Sequence, residues 1–264
     1  MQIRPLKRFS QNFLRNKNIA TEIIEALEIS SDDTIIEIGP GKGVLSRIIL
    51  DWDFDQYFAI EIDPRFINEL KPIFKHHPRS HLIIGDIQNI SFANYFYRNN
   101  IRIKVVGNIP YNITTSIMFL LLDNYKFLKE SVLMIQREVA KRLLALPGTK
   151  EYGILSVLVG AQADINLIRH IKAENFYPRP KIDSTVIKLI YHEKIEDVAD
   201  IDFFRQMVRQ SFQTRRKTLK NNLARFLNSE DINKLKKISL SKRPEELSIN
   251  DFKTLFNEIE KVKK

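Results

Sequence analysis

The sequence contains no cysteine. This absence excludes a disulfide scaffold, a cysteine nucleophile and any metal site built on thiolates, and it is typical of proteins in a reducing compartment. The five histidines show no ligand-like spacing beside carboxylates, so we expect no bound metal. The most apolar short run, residues 117–122, is six residues long, whereas a transmembrane helix needs about 20. We therefore expect a cytoplasmic protein that does not contact a membrane.

Acidic side chains are outnumbered by basic ones. The chain has 32 Asp and Glu against 42 Lys and Arg, which gives a formal net charge of +10. A basic surface attracts polyanions, because each phosphate that it neutralises releases counterions. Hydrophobic residues make up 44% of the chain, enough for a folded core rather than a disordered chain. The length of 264 residues accommodates one large domain or two unequal ones.

Short apolar segments alternate with amphipathic, helix-like stretches over the first two thirds of the chain. Such alternation is typical of a doubly wound α/β fold, in which strands are buried on both faces of a parallel sheet. We predict a mostly parallel seven-stranded sheet. Its expected strands cover residues 34–38, 57–62, 81–84, 103–106, 131–135, 163–171 and 183–191.

The pattern changes at an acidic stretch near residues 191–202. Beyond it, apolar residues recur at helical spacing, and Ser248 with Asp251 predicts a capping box before the last helix-like stretch. We therefore predict an α/β domain over residues 1–195 and a small all-helical domain over residues 196–264.

Three of the eight glycines fall in residues 39–43, after the first predicted strand of the sheet and before a helix. Gly39, Gly41 and Gly43 would let a ligand approach the backbone at the carboxyl edge of the sheet, where such folds bind ligands. The third glycine comes one residue too early for the dinucleotide fingerprint G-x-G-x-x-G. The loop instead resembles motif I of class I S-adenosylmethionine-dependent methyltransferases, which implies a Rossmann-like methyltransferase fold. A tight turn without a ligand is the alternative.

Two carboxylates stand at the ends of the next two predicted strands. Glu61 follows Gly41 by 20 residues, and a carboxylate at that distance can accept from ribose hydroxyls. Asp86 ends the third strand, where it can accept from an adenine amino group. Either acid alone is equally well explained as a solvated strand end. Together with the glycine loop, however, the two acids favour a site for a nucleoside.

The segment Asn108-Ile109-Pro110-Tyr111 follows the fourth predicted strand. An exocyclic amine of a base is a poor nucleophile, because its lone pair is delocalised into the ring. The Asn108 side-chain oxygen and the Ile109 carbonyl can accept both N–H bonds of such an amine and expose its lone pair, while Pro110 rigidifies the turn. Tyr111 offers a ring to stack on the base. The segment therefore favours methyl transfer to an amine; an ordinary surface turn is the alternative.

Five segments together resemble one family, the ribosomal RNA adenine N6,N6-dimethyltransferases of the KsgA/RsmA type. They lie at residues 7–14 (KRFSQNFL), 39–43 (GPGKG), 108–111 (NIPY), 176–184 (FYPRPKIDS) and 212–221 (FQTRRKTLKN). The last two distinguish this branch from DNA adenine methyltransferases. Departures are small: Ser10 replaces a frequent glycine of the family, and Ile109 a frequent leucine.

The resemblance implies S-adenosyl-L-methionine as the cofactor and assigns residues to it. The implied cofactor-binding residues are Asn12, Leu14, Gly39, Gly41, Glu61, Asp86 and Asn108. Asn12 and Leu14 would close over the cofactor, and Gly39 would lie beside its methionine part. Glu61 would hold its ribose and Asp86 its adenine.

The resemblance also implies the substrate. In this family it is a pair of adjacent adenosines in a hairpin near the 3′ end of 16S rRNA, within an immature small ribosomal subunit, and the pair receives four methyl groups. Asn108 would touch both the cofactor and the target amine. Phe176 would stack on the target adenine opposite Tyr111. We expect the protein to act as a monomer.

A basic cluster follows the acidic stretch. It consists of Arg215, Arg216, Lys217 and Lys220 and is interleaved with apolar residues, so we predict that it occupies one face of a helix and binds RNA. A solvated helix face without a ligand is the alternative.

Two functional alternatives stay open from the sequence. The first is an adenine methyltransferase that acts on large-subunit rRNA, against which residues 176–184 and 212–221 argue. The second is a ribosome assembly factor whose methylation is incidental.

Overall fold

In the computed structural model, residues 11–92 and 102–263 are described. They belong to two compact units, one formed by Met1–Ala140 and Ile165–Tyr191 and the other by Lys141–Asp164 and His192–Lys264. This division differs from the predicted boundary at residue 195, because Lys141–Asp164 groups with the C-terminal part of the chain. Each unit is described below by itself.

A seven-stranded sheet forms the centre of the first unit. The strands of the chain are β1 (Phe13–Leu14), β2 (Thr34–Ile38), β3 (Gln56–Glu61), β4 (Ser80–Ile84), β5 (Ile103–Asn108), β6 (Leu128–Gln136), β7 (Ala163–Ile171), β8 (Phe176–Tyr177) and β9 (Ser184–Tyr191). The sheet order is β4-β3-β2-β5-β6-β9-β7. Neighbours from β4 to β6 are parallel, and β9 runs antiparallel to β6. The predicted mostly parallel seven-stranded sheet is confirmed.

Helices follow most strands, as the alternating pattern predicts. They include α1 (Lys17–Glu25), α2 (Val44–Ile49), α3 (Ile67–Phe74), α4 (Thr114–Asp123) and α5 (Arg137–Leu143). All five residues of β2 are buried, because the sheet is covered on both faces and its Ile side chains lose contact with water. Since the parallel strands end at the same edge, the loops after β2, β3, β4 and β5 come together there.

The second unit is helical in its described part. It contains α6 (Ile154–Gln162), α7 (Ile201–Ser211), α8 (Leu219–Leu223), α9 (Ser229–Lys234) and α10 (Ile249–Lys263). Phe204, Phe252 and Phe256 are buried in its core. The predicted capping box is present, because Asp251 N–H donates to Ser248 Oγ at 3.1 Å and Ser248 N–H to Asp251 Oδ2 at 2.9 Å.

Residues of Lys141–Asp164 bond to the C-terminal helices, which explains the division of the chain. Gln162 Oε1 accepts from Arg205 Nη2 at 2.9 Å. The hydroxyl of Tyr152 donates to the carbonyl of Leu247 at 2.8 Å. Nearly every residue of α6 is buried, so this apolar helix requires partners on several sides.

Candidate active site

A cleft lies at the carboxyl edge of the sheet in the first unit. The loops after four parallel strands form it together with part of the N-terminal segment. Among the residues singled out in the sequence, the cleft brings together Asn12, Gly39, Gly41, Glu61, Asp86 and residues 108–111.

The glycine loop leaves β2 in a conformation that favours glycine. Gly39 and Gly41 have φ values of +68° and +55°, which residues with a Cβ rarely adopt. A Cβ on Gly41 would also lie 2.9 Å from Phe13 Cε1. The loop therefore brings bare backbone to the cleft and lets the N-terminal segment pack closely on it.

Glu61 ties the glycine loop to the end of β3. Its side chain is buried, with 4% of the residue exposed. One carboxylate oxygen accepts from the N–H of Gly41 at 2.9 Å, and the other accepts from the N–H of Asp63 at 2.8 Å. Burial raises the pKa of Glu61, while these two backbone donors act in the opposite direction. Each oxygen keeps a lone pair with which it can accept from a ligand hydroxyl.

Asp63 holds the N-terminal segment and was missed as a site residue. It caps the turn that precedes α3 by accepting from Arg65 N–H. Its carboxylate also accepts from Gln11 Nε2 at 2.9 Å. The hydrogen bond from Arg65 lowers the pKa of Asp63 to about 2. No local sequence pattern predicts the contact with Gln11, because the two residues are 52 positions apart.

Asp86 lies at the end of β4, as predicted, and has a structural bond of its own. Its Oδ1 accepts from the N–H of Gln88 at 3.0 Å and caps a short turn. Ile62, which follows Glu61, and Ile87, which follows Asp86, also line the cleft. Ile62 is an exposed large apolar side chain, and such a side chain offers contact to a flat apolar ligand.

Asn108 stands at the end of β5, and one hydrogen bond fixes how its amide is oriented. Its Nδ2 donates to the backbone carbonyl of Asn12 at 2.8 Å. A carbonyl oxygen only accepts, so the nitrogen must face Asn12 and Oδ1 points to the other side. The following N–H, that of Ile109, donates to the carbonyl of Met134 at 3.0 Å and secures the turn to β6.

Tyr111 is fixed by its hydroxyl. This group shares a hydrogen bond of 2.7 Å with Ser184 Oγ at the start of β9. Burial raises the pKa of Tyr111, so the hydroxyl stays neutral at physiological pH. Tyr111 lies within a turn that is closed by the Ile113 N–H, which donates to the carbonyl of Pro110 at 3.1 Å. The ring therefore lines the cleft in a defined position.

Leu14 and Phe176 do not line the cleft, contrary to the prediction. They form a cross-strand pair in the short antiparallel ladder of β1 and β8, and they are only 5% and 3% exposed. Cross-strand partners point to the same face of a ladder, and this pair points into the core. The other pair, Phe13 and Tyr177, lies on the opposite face of the ladder. Phe13 lines the cleft and packs against Phe66 at the border of the core, whereas Tyr177 is 55% exposed. Residues 7–10 of the predicted N-terminal motif lie outside the described residues.

The basic cluster of the second unit does not occupy one helix face, so its predicted placement was wrong. That the cluster binds RNA stays a prediction. Arg215, Arg216 and Lys217 lie in the turns between α7 and α8, and Lys220 is on α8. The Arg215 guanidinium donates to the carbonyls of Lys150 and Tyr152 at 2.7 and 3.1 Å. All four residues are exposed, but these two bonds give Arg215 a role in stabilising a neighbouring loop.

The described ranges, residues 11–92 and 102–263, contain neither a candidate metal site nor a helix that could span a membrane. No group of three or more His, Cys, Asp or Glu side chains in them is placed to hold a metal ion. Among the same residues, no helix combines the length and the apolar character that a bilayer-spanning segment requires.

Comparison with known proteins places these features in context. Residues 4–261 match the family model described as ribosomal RNA adenine dimethylase. The chain is 40% identical to "Ribosomal RNA small subunit methyltransferase A" of Chlorobium phaeobacteroides (strain BS1), over 96% of this chain and 93% of that protein. It is 38% identical to the protein of the same name from Buchnera aphidicola subsp. Schizaphis graminum, over 97% and 92%.

Solved structures give the same fold. A dimethyladenosine transferase from Plasmodium falciparum superimposes with a TM-score of 0.81 and 27% identity, covering 95% of this chain and 98% of the other. The 23S rRNA methyltransferase ErmE superimposes with a TM-score of 0.70 and 23% identity, over 94% and 99%. Because the identity to ErmE is only 23%, this similarity shows the fold alone.

Proposed function

The chain belongs to the ribosomal RNA adenine dimethylase family, and we propose that it dimethylates N6 of two adjacent adenosines in a hairpin near the 3′ end of 16S rRNA. The activity is that of an rRNA adenine dimethyltransferase. We further propose that the substrate is the immature small ribosomal subunit in the cytoplasm, that the methyl donor is S-adenosyl-L-methionine and that the enzyme acts as a monomer.

The observation that carries the proposal is the orientation of the Asn108 amide. Because Nδ2 is bound to the Asn12 carbonyl, Oδ1 is the group left to accept from an amine. In our proposal it accepts one N–H of the target adenine, and the Ile109 carbonyl accepts the other. Two acceptors draw the nitrogen towards a tetrahedral shape and return the lone pair to it. The Tyr111 ring, fixed through Ser184, stacks on the adenine.

Alignment then supplies most of the catalysis. A well-oriented pair of reactants gains about 7–11 kcal/mol in favourable cases. The amine nitrogen would form a bond to the methyl carbon as the bond from that carbon to the donor sulfur breaks. The donor would leave as a neutral thioether, and the nitrogen would then lose one proton to water. It needs no strong base, because an alkylated ammonium of this kind is acidic. A second round on the same nitrogen gives the dimethylated base.

The cleft fits the proposed cofactor. When bound, S-adenosylmethionine supplies an electrophilic methyl group on a sulfonium centre. Glu61 presents two carboxylate oxygens at the end of β3 for the ribose hydroxyls, and Asp86 would accept from the adenine amino group. The space above Gly39 is open, with no atom within 4 Å of where a Cβ would stand, which suits the methionine part. Asn12, Gly41 and Asn108 complete the site, and exposed Ile62 offers its apolar surface to the adenine.

We propose a supporting role for Phe176 and Leu14 in place of the direct ligand contacts predicted from the sequence. Because both are packed in the core beneath the cleft, they support Phe13 and the N-terminal segment in the conformation described. A stacking role for Phe176 requires its ring to leave that core when RNA binds. The exposed Arg216, Lys217 and Lys220 are proposed to contact rRNA phosphates.

The two alternatives are weaker. The curated relatives at 38–40% identity carry the name of a small-subunit enzyme, whereas the large-subunit enzyme ErmE shares the fold at 23% identity. A purely structural assembly factor would need no oriented amide beside a buried carboxylate in one cleft. We therefore favour the small-subunit dimethyltransferase over both.

The proposal is tested by methyl transfer from labelled S-adenosylmethionine to purified immature small subunits, with large subunits in parallel. We expect label only in the small subunit, recovered as N6,N6-dimethyladenosine after digestion. Asn108→Ala should lose transfer. Asn124→Ala is the matched control, because Asn124 Nδ2 also donates to a backbone carbonyl at 2.8 Å, that of Leu120, but lies away from the cleft. Label in the large subunit, or full activity of Asn108→Ala, would overturn the proposal.

A further inference from the structure

A second hollow opens beside the cleft in the first unit. It is lined by Phe13, Leu14, Arg15, Lys42 and Tyr177, and its empty volume is about 690 Å³. We call it the Tyr177 hollow. Phe13 lines both the cleft and the hollow, so a single aromatic side chain forms part of the wall of each.

The aromatic ring of the hollow is exposed but held on a fixed backbone. Tyr177 is 55% exposed and pairs with Phe13 in the ladder of β1 and β8. The Arg15 N–H donates to the Asn175 carbonyl at 2.8 Å, and Asn16 Nδ2 donates to Asn175 Oδ1 at 3.1 Å. These bonds join the chain just before Tyr177 to the segment that follows β1. An aromatic side chain on such a support is suited to stacking at a low entropic cost.

Two cations line the same hollow. Lys42 Nζ lies 5.2 Å from the centroid of the Phe13 ring, and Arg15 is exposed. Among the residues that the structure describes, no carboxylate forms a salt bridge with either side chain. Unpaired cations beside an exposed ring are the combination that binds single-stranded nucleic acid, in which the ring stacks on a base and the cations contact the phosphates.

We propose that the Tyr177 hollow binds the nucleotide next to the target adenosine, with its base stacked on Tyr177 and its phosphate contacting Lys42 and Arg15. This inference rests on the proposed function, because it places single-stranded RNA in the cleft. The target base must be unstacked from its neighbours to enter the cleft. Stacking of the neighbouring base on Tyr177 compensates for part of that loss and sets the strand beside the cleft.

The experiment measures binding of immature small subunits in the absence of methyl donor. Tyr177→Ala should weaken binding about fivefold or more, since one stacked base contributes on that scale. Tyr177→Phe should stay within twofold of the wild type, because a phenyl ring stacks as well as a phenol. Trp52→Ala is the control. Trp52 is 37% exposed and precedes β3, so it lies at the amino ends of the parallel strands, whereas the cleft lies at their carboxyl ends. Lys42→Ala should reduce the slope of log affinity against log salt by about 0.7.

Equal affinities of Tyr177→Ala and wild type would overturn the inference, and so would an equal loss in Tyr177→Ala and Tyr177→Phe. Circular dichroism and the affinity for S-adenosylmethionine check that each variant is folded; if Tyr177→Ala is not, Tyr177→Leu replaces it. Binding without methyl donor does not depend on methyl transfer. The experiment therefore distinguishes a failure of the Tyr177 inference from a failure of the proposed function. A wild type that binds subunits through Tyr177 without methylating them contradicts the proposed function alone. A wild type that does not bind them contradicts both.

Discussion

The side-chain amide of Asn108 and the backbone carbonyl of Asn12 are joined by a hydrogen bond of 2.8 Å across 96 residues of sequence. This bond connects the end of β5 to the N-terminal segment that borders the cleft. It also determines which atom of the amide is available to a substrate. One contact thus positions both the acceptor for the target amine and the segment proposed to cover the cofactor.

Asn108→Asp should lower the single-turnover rate of methyl transfer by about 10²-fold or more, a loss typical of misplaced reacting groups. A carboxylate cannot donate, so it would face the Asn12 carbonyl with a repulsive contact and turn away. Asn124→Asp removes a similar amide-to-carbonyl bond elsewhere and should leave the rate within about twofold. Wild-type rates for Asn108→Asp would show that the amide orientation is irrelevant.

Glu61→Gln should weaken binding of S-adenosylmethionine about 10- to 100-fold in calorimetry, the scale of a lost hydrogen bond to a charged group. The carboxylate accepts from two backbone N–H groups, and an amide would point its own donor at one of them. Glu22→Gln, at an exposed acid paired with Arg169, should leave the affinity unchanged. An unchanged affinity in Glu61→Gln would remove this carboxylate from the cofactor site.

Glu37 should make the stability of the fold depend on pH. This acid is buried in β2 and bonded to Ser46 and Tyr57, and burial raises its pKa to about 7, well above the value for an exposed carboxyl group. The folded state therefore holds the proton more tightly than the unfolded state. Its contribution to stability is present at low pH and is lost as pH rises from about 4.5 towards 7.

The lost contribution should be of the order of 3 kcal/mol in the free energy of unfolding. Denaturation by urea at pH 5 and pH 7.5 measures it, with Glu37→Gln as the comparison. The amide has no charge to develop, so the variant should lose less stability than the wild type over this interval. Parallel pH profiles for the two proteins would assign the dependence to other groups.

Arg215 and Arg216 should behave differently although they are neighbours. Arg215 donates to the carbonyls of Lys150 and Tyr152, so Arg215→Ala should lower the melting temperature by a few degrees. Arg216 is exposed, so Arg216→Ala should leave the melting temperature unchanged and weaken subunit binding in a salt-dependent manner. Arg216→Lys preserves the charge and should restore binding. The reverse pattern would contradict the assignment.

The sheet was predictable because its signal is local. Buried parallel strands are continuous apolar segments, and the predicted strand at residues 34–38 matches β2 to the residue. The predicted strand at residues 163–171 also matches β7, although only two residues of this edge strand are buried. The loops that follow carry recognisable residue types, so the positions of Gly39, Glu61 and Asn108 at one edge follow from strand parallelism.

Features that depend on distant residues were not predictable in this way. The bond between Gln11 and Asp63 and the ladder of β1 and β8 join segments with no shared periodicity. The ladder decides that Phe176 is buried and Tyr177 exposed, because a shift by one residue in a strand reverses the face. The basic cluster was placed on a helix from its spacing alone, but the turns after α7 interrupt that helix before Arg215.

Reverse transcription across the 3′ end of small-subunit rRNA tests the central claim most directly, since dimethylated adenines stop the polymerase. The rRNA should come from a strain that lacks this gene, complemented with the wild type or with Asn108→Ala. We expect stops at two adjacent adenosines with the wild type, and none without the gene or with Asn108→Ala. Stops that persist without the gene, or that Asn108→Ala restores in full, would contradict the account.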